Sequence, residues 1–94
     1  MPTPVVWSPR ANDKYLYLLK YWHDRSLDFA IKLDDAIENL LSNLEQFKDL
    51  CPPSLQRPHY RKCSVLKHYA LIYRNDKDMI WIVDFFDNRR PKDS

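Results

Sequence analysis

The chain has 94 residues, 45% of them hydrophobic and 30% charged, which is enough for one folded domain but too few for two cores. Its net charge of +2 hides an uneven distribution of charge along the chain. Residues 51–75 contain no Asp or Glu, whereas acidic residues outnumber basic ones over residues 26–50. The absence of glycine excludes the glycine-built phosphate loops of nucleoside-triphosphate and dinucleotide enzymes.

A short strand followed by a helix is predicted at the start of the chain. Residues 5–7 form an apolar run that is typical of a strand. Ser8 and Pro9 then indicate a helix N-terminus, because the serine hydroxyl can cap a free amide and proline at the first helical position sacrifices no hydrogen bond. The helix is predicted to end at about Trp22, and its apolar stripe consists of Tyr15, Leu18, Leu19 and Trp22.

A second amphipathic helix is predicted to begin after Ser26, its N-cap, and to continue for roughly five turns until Pro52 and Pro53 stop the helical pattern. The link formed by residues 23–25 is so short that the two helices must run antiparallel. The acidic residues Asp34, Asp35 and Glu38 are expected on the solvent side. The apolar face consists of Phe29, Leu33, Ala36, Ile37, Leu40, Leu44 and Phe47.

Three further strands are predicted over residues 60–65, 68–74 and 79–86, which are rich in aromatic and β-branched residues and are separated by short links. In a chain without glycine, the link over residues 75–78 is expected to be a longer type I turn. The element order β-α-α-β-β-β predicts an α+β domain, in which an N-terminal strand and an antiparallel helical hairpin join a small, mostly antiparallel sheet. One domain spans residues 1–94, with a disordered tail over residues 91–94.

The basic residues of the last third are the candidate binding residues. Their concentration indicates an anionic partner, either an acidic peptide segment or nucleic acid. We expect the sheet to gather them on one concave wall, with Asp87 either holding an arginine or forming part of a turn. The candidates are Arg61, Lys62, Lys67, Arg74, Asp87, Arg89 and Arg90.

Neither a metal site nor another cofactor is predicted. The two cysteines, Cys51 and Cys63, are too few for a disulfide framework or a zinc site, and we interpret them as partly buried free thiols in a reducing cytoplasm. No apolar stretch approaches the ~20 residues that span a bilayer, and the first residues lack a signal-peptide pattern. A cytoplasmic protein that does not contact membranes is therefore expected.

Four sequence pieces, in this order and spacing, resemble the RelE/ParE superfamily of bacterial toxins. They are W-S-P-R-A at residues 7–11, R-P-x-Y-R-K at residues 57–62, Y-x-L-I-Y-R at residues 69–74 and F-D-N-R-R-P at residues 86–91. The resemblance covers nearly the whole chain. It implies a small growth-inhibiting toxin that is neutralised in a hetero-oligomer by a cognate antitoxin, whose acidic amphipathic segment folds on binding.

The superfamily divides into two functions. RelE-like members cleave messenger RNA on the ribosome, and they resemble one another in an arginine after the tyrosine of the third strand, paired basic residues on the second strand, an arginine after the fourth strand and a later tyrosine. This chain has Ala70 at the first place. Of the two basic residues at alternate positions of the second strand it keeps Arg61 and has Cys63 at the other, and it keeps Arg89 after the fourth strand but has no later tyrosine. If the geometry is otherwise the same, a methyl group in place of that arginine removes on the order of several kcal/mol of transition-state stabilisation.

The resemblance therefore favours the ParE-like branch, whose members bind and poison DNA gyrase and are not nucleases. The first alternative is a RelE-like endoribonuclease that acts on ribosome-bound mRNA. The second alternative is an antitoxin-binding module without toxicity. If the chain is a nuclease, the set expected to carry the chemistry is Arg61, His68, Arg74 and Arg89.

Overall fold

The computed structural model of the protein describes residues 3–89, which form two helices and four strands. The tail predicted over residues 91–94 lies outside the described residues, as does Arg90. The predicted order β-α-α-β-β-β and the α+β class are confirmed. The elements are β1 (Val5–Trp7), α1 (Pro9–Arg25), α2 (Leu27–Gln46), β2 (Arg61–Val65), β3 (Tyr69–Asn75) and β4 (Ile80–Asp87).

The N-caps predicted for the helices are both present, but the predicted link between the helices is wrong. Ser8 Oγ accepts a 3.1 Å hydrogen bond from the N–H of Ala11 at the start of α1. Residues 23–25 belong to α1, and Ser26 alone separates the helices. Its N–H donates to the carbonyl of Trp22 at 2.6 Å, while its Oγ accepts from the N–H of Phe29 at 3.3 Å. One extended serine therefore ends α1 and begins α2.

The sheet has the strand order β1-β4-β3-β2. The first strand runs parallel to β4, whereas β4, β3 and β2 are antiparallel to their neighbours, which confirms the mostly antiparallel prediction. Pairing of β1 is limited to Ile80, Trp81 and Ile82 at the start of β4. Farther along, β4 has β3 on one side and no second strand on the other within residues 3–89.

Both helices pack on one side of the sheet, which we call the inner face; the opposite side is the outer face. Burial of large apolar side chains between the helices and the inner face supplies most of the favourable free energy of folding, at roughly 1.5–3 kcal/mol for each side chain. No helix within the described residues is long and apolar enough to cross a membrane. The core combines Leu33, Ile37 and Leu44 of α2 with Tyr69, Leu71, Tyr73, Ile80, Ile82 and Phe85 of the sheet.

The prediction of two free thiols is wrong, because Cys51 and Cys63 form a disulfide bond with a Cα–Cα distance of 5.3 Å. After α2 the chain turns back along β2, and Pro53 pairs with Arg61 as an isolated antiparallel bridge. Two residues farther out in that register, Cys51 lies opposite Cys63. The pairing is set by long-range register, which the spacing of the cysteines in the sequence does not reveal.

The two sheet turns differ in backbone conformation. In the β2–β3 turn, Leu66 has φ 49° and Lys67 has φ 75°, and the N–H of His68 donates to the carbonyl of Leu66 at 2.8 Å. In the β3–β4 turn, Asp76 donates its N–H to the carbonyl of Met79 at 2.8 Å, and no residue there has positive φ. The β3–β4 turn is therefore not a primed turn, whereas the β2–β3 turn has two consecutive residues with positive φ although neither is glycine.

Candidate functional site

The alternation of side chains along β2 places its adjacent basic residues on opposite faces of the sheet. Arg61 is aligned with Tyr73, a core residue of the inner face, whereas Lys62 is aligned with Ile72 on the outer face. Neighbouring positions in a strand point in opposite directions, so these two cations cannot serve one surface.

Arg61 holds the segment after α2 against the sheet. Its Nη1 donates a 2.7 Å hydrogen bond to the carbonyl of Cys51, and its Nη2 lies 3.4 Å from the carboxylate of Asp49. Beside it, the hydroxyl of Tyr73 donates to the carbonyl of Lys48 at 2.7 Å and accepts from the N–H of Cys51 at 3.4 Å. Burial raises the pKa of Tyr73, so the hydroxyl keeps its proton and remains a donor. Arg61 is therefore committed to a structural role.

The outer face carries two of the predicted cations together with aromatic rings. Lys62 Nζ lies 5.7 Å from the ring centroid of Phe86, and Lys14 Nζ of α1 lies 5.8 Å from the centroid of the same ring. Arg74, which is exposed, is aligned with Trp81 toward the other end of the strands. The outer face therefore has a small positively charged surface.

A third location is the end of the sheet that contains the β2–β3 turn. The N–H of Asn88 donates to the carbonyl of His68 at 2.7 Å, which brings the segment after β4 next to that turn. Lys67, His68 and Arg89 are all exposed there. Five residues of β3 separate this end from Arg74, a distance of roughly 17 Å in an extended strand. The expectation of a single basic wall is therefore wrong, because the cations are divided among three locations.

Asp87 holds Arg89 and also forms part of a turn, so both of the alternatives predicted for it are present. The arginine Nε and Nη2 lie 3.2 Å and 3.0 Å from the two carboxylate oxygens, a bidentate geometry. The hydrogen bonds to Asp87 and its charge raise the pKa of Arg89. Asp87 Oδ1 also accepts the backbone N–H of Arg89 at 2.9 Å, as in an Asx turn. The guanidinium is therefore fixed in direction while remaining exposed.

A groove of about 830 Å³ lies between α1 and the second half of β4. It forms because β1 stops pairing at Ile82, so that α1 faces the rest of β4 without an intervening strand. The groove has a mixed aromatic and charged lining, as expected of a protein-binding site. Its walls include Tyr17, Leu18 and Tyr21 from α1, and Phe85, Phe86 and Asp87 from β4.

Hydrogen bonds and ion pairs stiffen the walls of this groove. Trp22 Nε1 donates to the hydroxyl of Tyr69 at 2.9 Å, which ties α1 to β3. At the opposite end, Lys14 Nζ donates to Asp84 at 2.8 Å and Arg10 Nε lies 3.7 Å from the same carboxylate. The walls are therefore set before a partner arrives, which lowers the entropic cost of binding.

Sequence reasoning missed the contribution of α1 to this groove. Tyr17 is 76% exposed, and Tyr21 lies one turn farther along the same side of the helix. The guanidinium carbon of Arg25 lies 3.7 Å from the Tyr21 ring centroid. The available signal was a pair of tyrosines with i, i+4 spacing outside the predicted core stripe.

Most of the side chains that line the groove are aromatic or charged. No histidine or cysteine is among the described residues that line it. Likewise, no group of three or more His, Cys, Asp or Glu within residues 3–89 is arranged to hold a metal ion. Three carboxylates line the groove, Asp13, Asp84 and Asp87, and the last two have cationic partners.

Structural comparison relates the fold to known toxins. A chain of the chromosomal ParDE TA system from P. aeruginosa has a TM-score of 0.74 and 14% identity, covering 90% of this chain and 95% of that one. A YoeB/ParE toxin from Agrobacterium tumefaciens has a TM-score of 0.65 and 13% identity, with 89% and 96% covered. The YoeB dimer from Staphylococcus aureus has a TM-score of 0.64 and 19% identity, with 89% and 94% covered. At these identities the likeness shows the fold.

No curated protein sequence matches the chain. The family model for the ParE toxin of the type II toxin-antitoxin system, parDE, matches residues 5–91, nearly its whole length. This match agrees with the four sequence pieces and with the helical hairpin on a four-stranded sheet. The chain therefore belongs to the ParE toxin family of type II toxin-antitoxin systems.

Proposed function

We propose that this toxin acts in the cytoplasm by binding DNA gyrase and that it does not cleave RNA. The observation that carries the proposal concerns two positions at which members of the nuclease branch have cationic side chains that act on RNA. Ala70 on β3 is fully buried between Ser64 and Phe86 in the sheet register, and Arg61 is occupied by the carbonyl of Cys51. Neither position therefore offers a free cation to a phosphate.

A toxin of this family has a cognate antitoxin as its partner. We propose that an amphipathic segment of the antitoxin occupies the α1–β4 groove. Apolar residues of such a segment would pack on Tyr17 and Phe86, and its acidic residues would meet the exposed guanidinium of Arg89. The groove is of the size that suits a short peptide segment more than a flat protein face.

The RelE-like nuclease is the second candidate, and one observation favours it. His68 and Arg89 are brought to the same end of the sheet by the hydrogen bond between Asn88 and His68. An imidazole near a guanidinium is a combination that can transfer protons and stabilise a phosphate. In this candidate, His68 is the acid or base.

Induction of the chain without its antitoxin separates these functions. Gyrase poisoning predicts filamentous cells and an SOS response, whereas a nuclease predicts rapid translation arrest and cut messages. A triple variant, His68→Ala, Arg74→Ala and Arg89→Ala, should remain toxic under our proposal and be inactive if the toxin is a nuclease. Arg61 is left unchanged because its loss would disturb the fold. A parent chain that does not affect growth would contradict both functions and indicate an antitoxin-binding module.

A further inference from the structure

The segment that follows the disulfide forms a small closed loop, residues 54–60, which we call the Leu55 loop. The N–H of Ser54 donates to the carbonyl of Tyr60 at 2.8 Å and so joins the two ends of the loop. Inside it, Tyr60 donates its N–H to the carbonyl of Arg57 at 2.9 Å, and Arg57 donates its N–H to Ser54 Oγ at 3.3 Å. A loop whose ends are joined in this way has the character of an Ω-loop, a type of segment that is frequently functional.

The base of the Leu55 loop is fastened to the sheet at several points. The Cys51–Cys63 disulfide joins it covalently to β2, and the bridge between Pro53 and Arg61 continues the same antiparallel pairing. Both cysteines are buried, with exposures of 8% and 2%. Pro52, Pro53 and Pro58 further restrict the backbone. This loop therefore has far less freedom to lose on binding than an ordinary surface loop.

The loop presents a leucine that makes almost no contact with its own protein, because Leu55 is 99% exposed. A single exposed leucine is unremarkable on a protein surface. Here, however, the leucine belongs to a segment held by a covalent bond, a strand bridge and internal hydrogen bonds. Rigid presentation of a complete apolar side chain is the property of an anchor that enters a partner's pocket.

Charge around the anchor indicates the chemistry of the partner. The Leu55 loop contains Arg57 and His59, both exposed, and no carboxylate. The guanidinium of Arg57 lies 5.8 Å from the ring centroid of Tyr60, which is half-buried, so this ring is not free to stack with a nucleobase. An exposed leucine close to an arginine complements an apolar pocket rimmed by carboxylates on a protein. Nucleic acid offers no such pocket for the leucine.

The position of the loop separates it from the α1–β4 groove. The loop extends from β2, which is the strand at the opposite edge of the sheet from β1, with β3 between β2 and β4. Two strand spacings, roughly 10 Å, therefore separate β2 from the groove wall. A segment bound in the groove leaves the side chain of Leu55 accessible.

We propose that the Leu55 loop is a second contact surface of this toxin, which inserts Leu55 into an apolar, carboxylate-rimmed pocket of the target protein. The proposal rests on the proposed function, in which the target is a protein. It assigns target contact to the β2 edge and antitoxin contact to the groove.

The test measures the affinity of the purified, oxidised full chain for purified DNA gyrase. Leu55→Asp should lower the affinity at least roughly tenfold, because it places a carboxylate where the pocket supplies carboxylates and apolar surface. Leu55→Met should bind nearly as well as the parent. The matched control is Leu16→Asp, since Leu16 is 50% exposed on α1. This control should bind as the parent does.

A second variant tests the rigidity of the loop. Cys51→Ser combined with Cys63→Ser keeps Leu55 but releases the base of the loop. A loss of roughly tenfold is expected, because the freed loop must be ordered on binding. A thermal unfolding midpoint above the assay temperature, measured for each variant, shows that the chains compared are folded.

Each outcome decides between the hypotheses. Parent-like affinity of Leu55→Asp, or equal losses for Leu55→Asp and Leu16→Asp, overturns the inference and leaves gyrase binding intact. Affinity that is unchanged by the Leu55 substitutions but falls steeply with added salt and with Arg57→Gln indicates a charge contact at Arg57 in place of the leucine and also overturns it. If the parent does not bind gyrase, the proposed target fails and the inference fails with it.

Discussion

The hydroxyl of Tyr15 in α1 donates a 2.7 Å hydrogen bond to the carboxylate of Asp34 in α2. The same ring stacks on Trp7 of β1 at a centroid distance of 5.2 Å and meets Phe85 of β4 edge-on at 5.4 Å. One buried side chain therefore contacts both helices and both strands of the parallel pair. It is a central element of the interface between the hairpin and the sheet.

Tyr15→Phe should destabilise the protein while keeping its aromatic packing. The loss of the hydrogen bond to a charged acceptor should lower the free energy of unfolding by about 1–2 kcal/mol. Urea unfolding at pH 7 measures the change. Tyr17→Phe, at an exposed position two residues away, is the matched control and should remain within about 0.5 kcal/mol of the parent. Equal values for the two variants would show that the hydrogen bond makes no net contribution.

The same tyrosine should make stability fall at high pH. Burial, and then the hydrogen bond and charge of Asp34, raise the pKa of Tyr15 above its ordinary value of 10.0. The folded state thus keeps a proton that the unfolded chain releases, so the contribution of this group is complete below pH 10 and is lost as the pH rises further. Unfolding measured from pH 8 to pH 11.5 should show a shallower decline for Tyr15→Phe. Identical slopes would contradict this linkage.

Loss of the disulfide should be costly because the bond closes a chain segment with a sequence separation of 12. The double variant Cys51→Ser, Cys63→Ser should lose about 3 kcal/mol of stability, mainly because its unfolded chain regains conformational freedom. Denaturation of the parent with and without a dithiol reductant provides the comparison. In the double variant the reductant should have no effect, and a parent that also ignores it would show that the thiols are not joined.

Arg61 and Arg74 should respond differently to the same substitution. Arg61→Ala leaves the carbonyl of Cys51 without its guanidinium partner and should cost about 1–2 kcal/mol. Arg74 is exposed on the outer face, and Arg74→Ala should change stability by less than about 0.5 kcal/mol. Thermal unfolding compares the stability of the two variants, which have the same net charge. The reverse order would contradict the structural role assigned to Arg61.

The two turn lysines form another matched pair. Lys67 has a φ of 75°, a conformation that costs most residues about 1–2 kcal/mol, so Lys67→Gly should stabilise the protein by up to about 1 kcal/mol. Lys77 in the β3–β4 turn does not have positive φ, and Lys77→Gly should destabilise it by about 0.5–1 kcal/mol through added freedom of the unfolded chain. Chemical denaturation gives both values. Equal changes would show that φ at Lys67 is not strained.

Features determined by local chemistry were predictable from the sequence. Ser8 with Pro9 defined the start of α1, and alternating aromatic and β-branched residues defined the three later strands. The end of α1 was less accessible, because no glycine or proline marks it and Ser26 serves both helices. Helical propensity continues through residues 23–25, and only the extended backbone of that serine interrupts it.

The features that depend on strand register were not predictable. The partner of β1 lies more than 70 residues away in β4, and the antiparallel bridge at Pro53 decides that Cys51 meets Cys63. The basic residues were correctly assigned to strands and turns, but their faces follow from pairing. Arg61 is therefore a structural residue that holds the segment after α2 against the sheet.

The parallel pairing of β1 with β4 has a consequence for how the toxin is made. The first strand is synthesised before both helices, β2 and β3, yet its hydrogen-bonding partner, β4, is synthesised after all of them. Until residues through Asp87 have left the ribosome, the helical hairpin has no complete sheet to pack on, and the α1–β4 groove has no wall opposite Tyr17. A translation product that stops within β4 consequently lacks the partner of β1 and one wall of the groove, so the groove can form only after β4 has been synthesised.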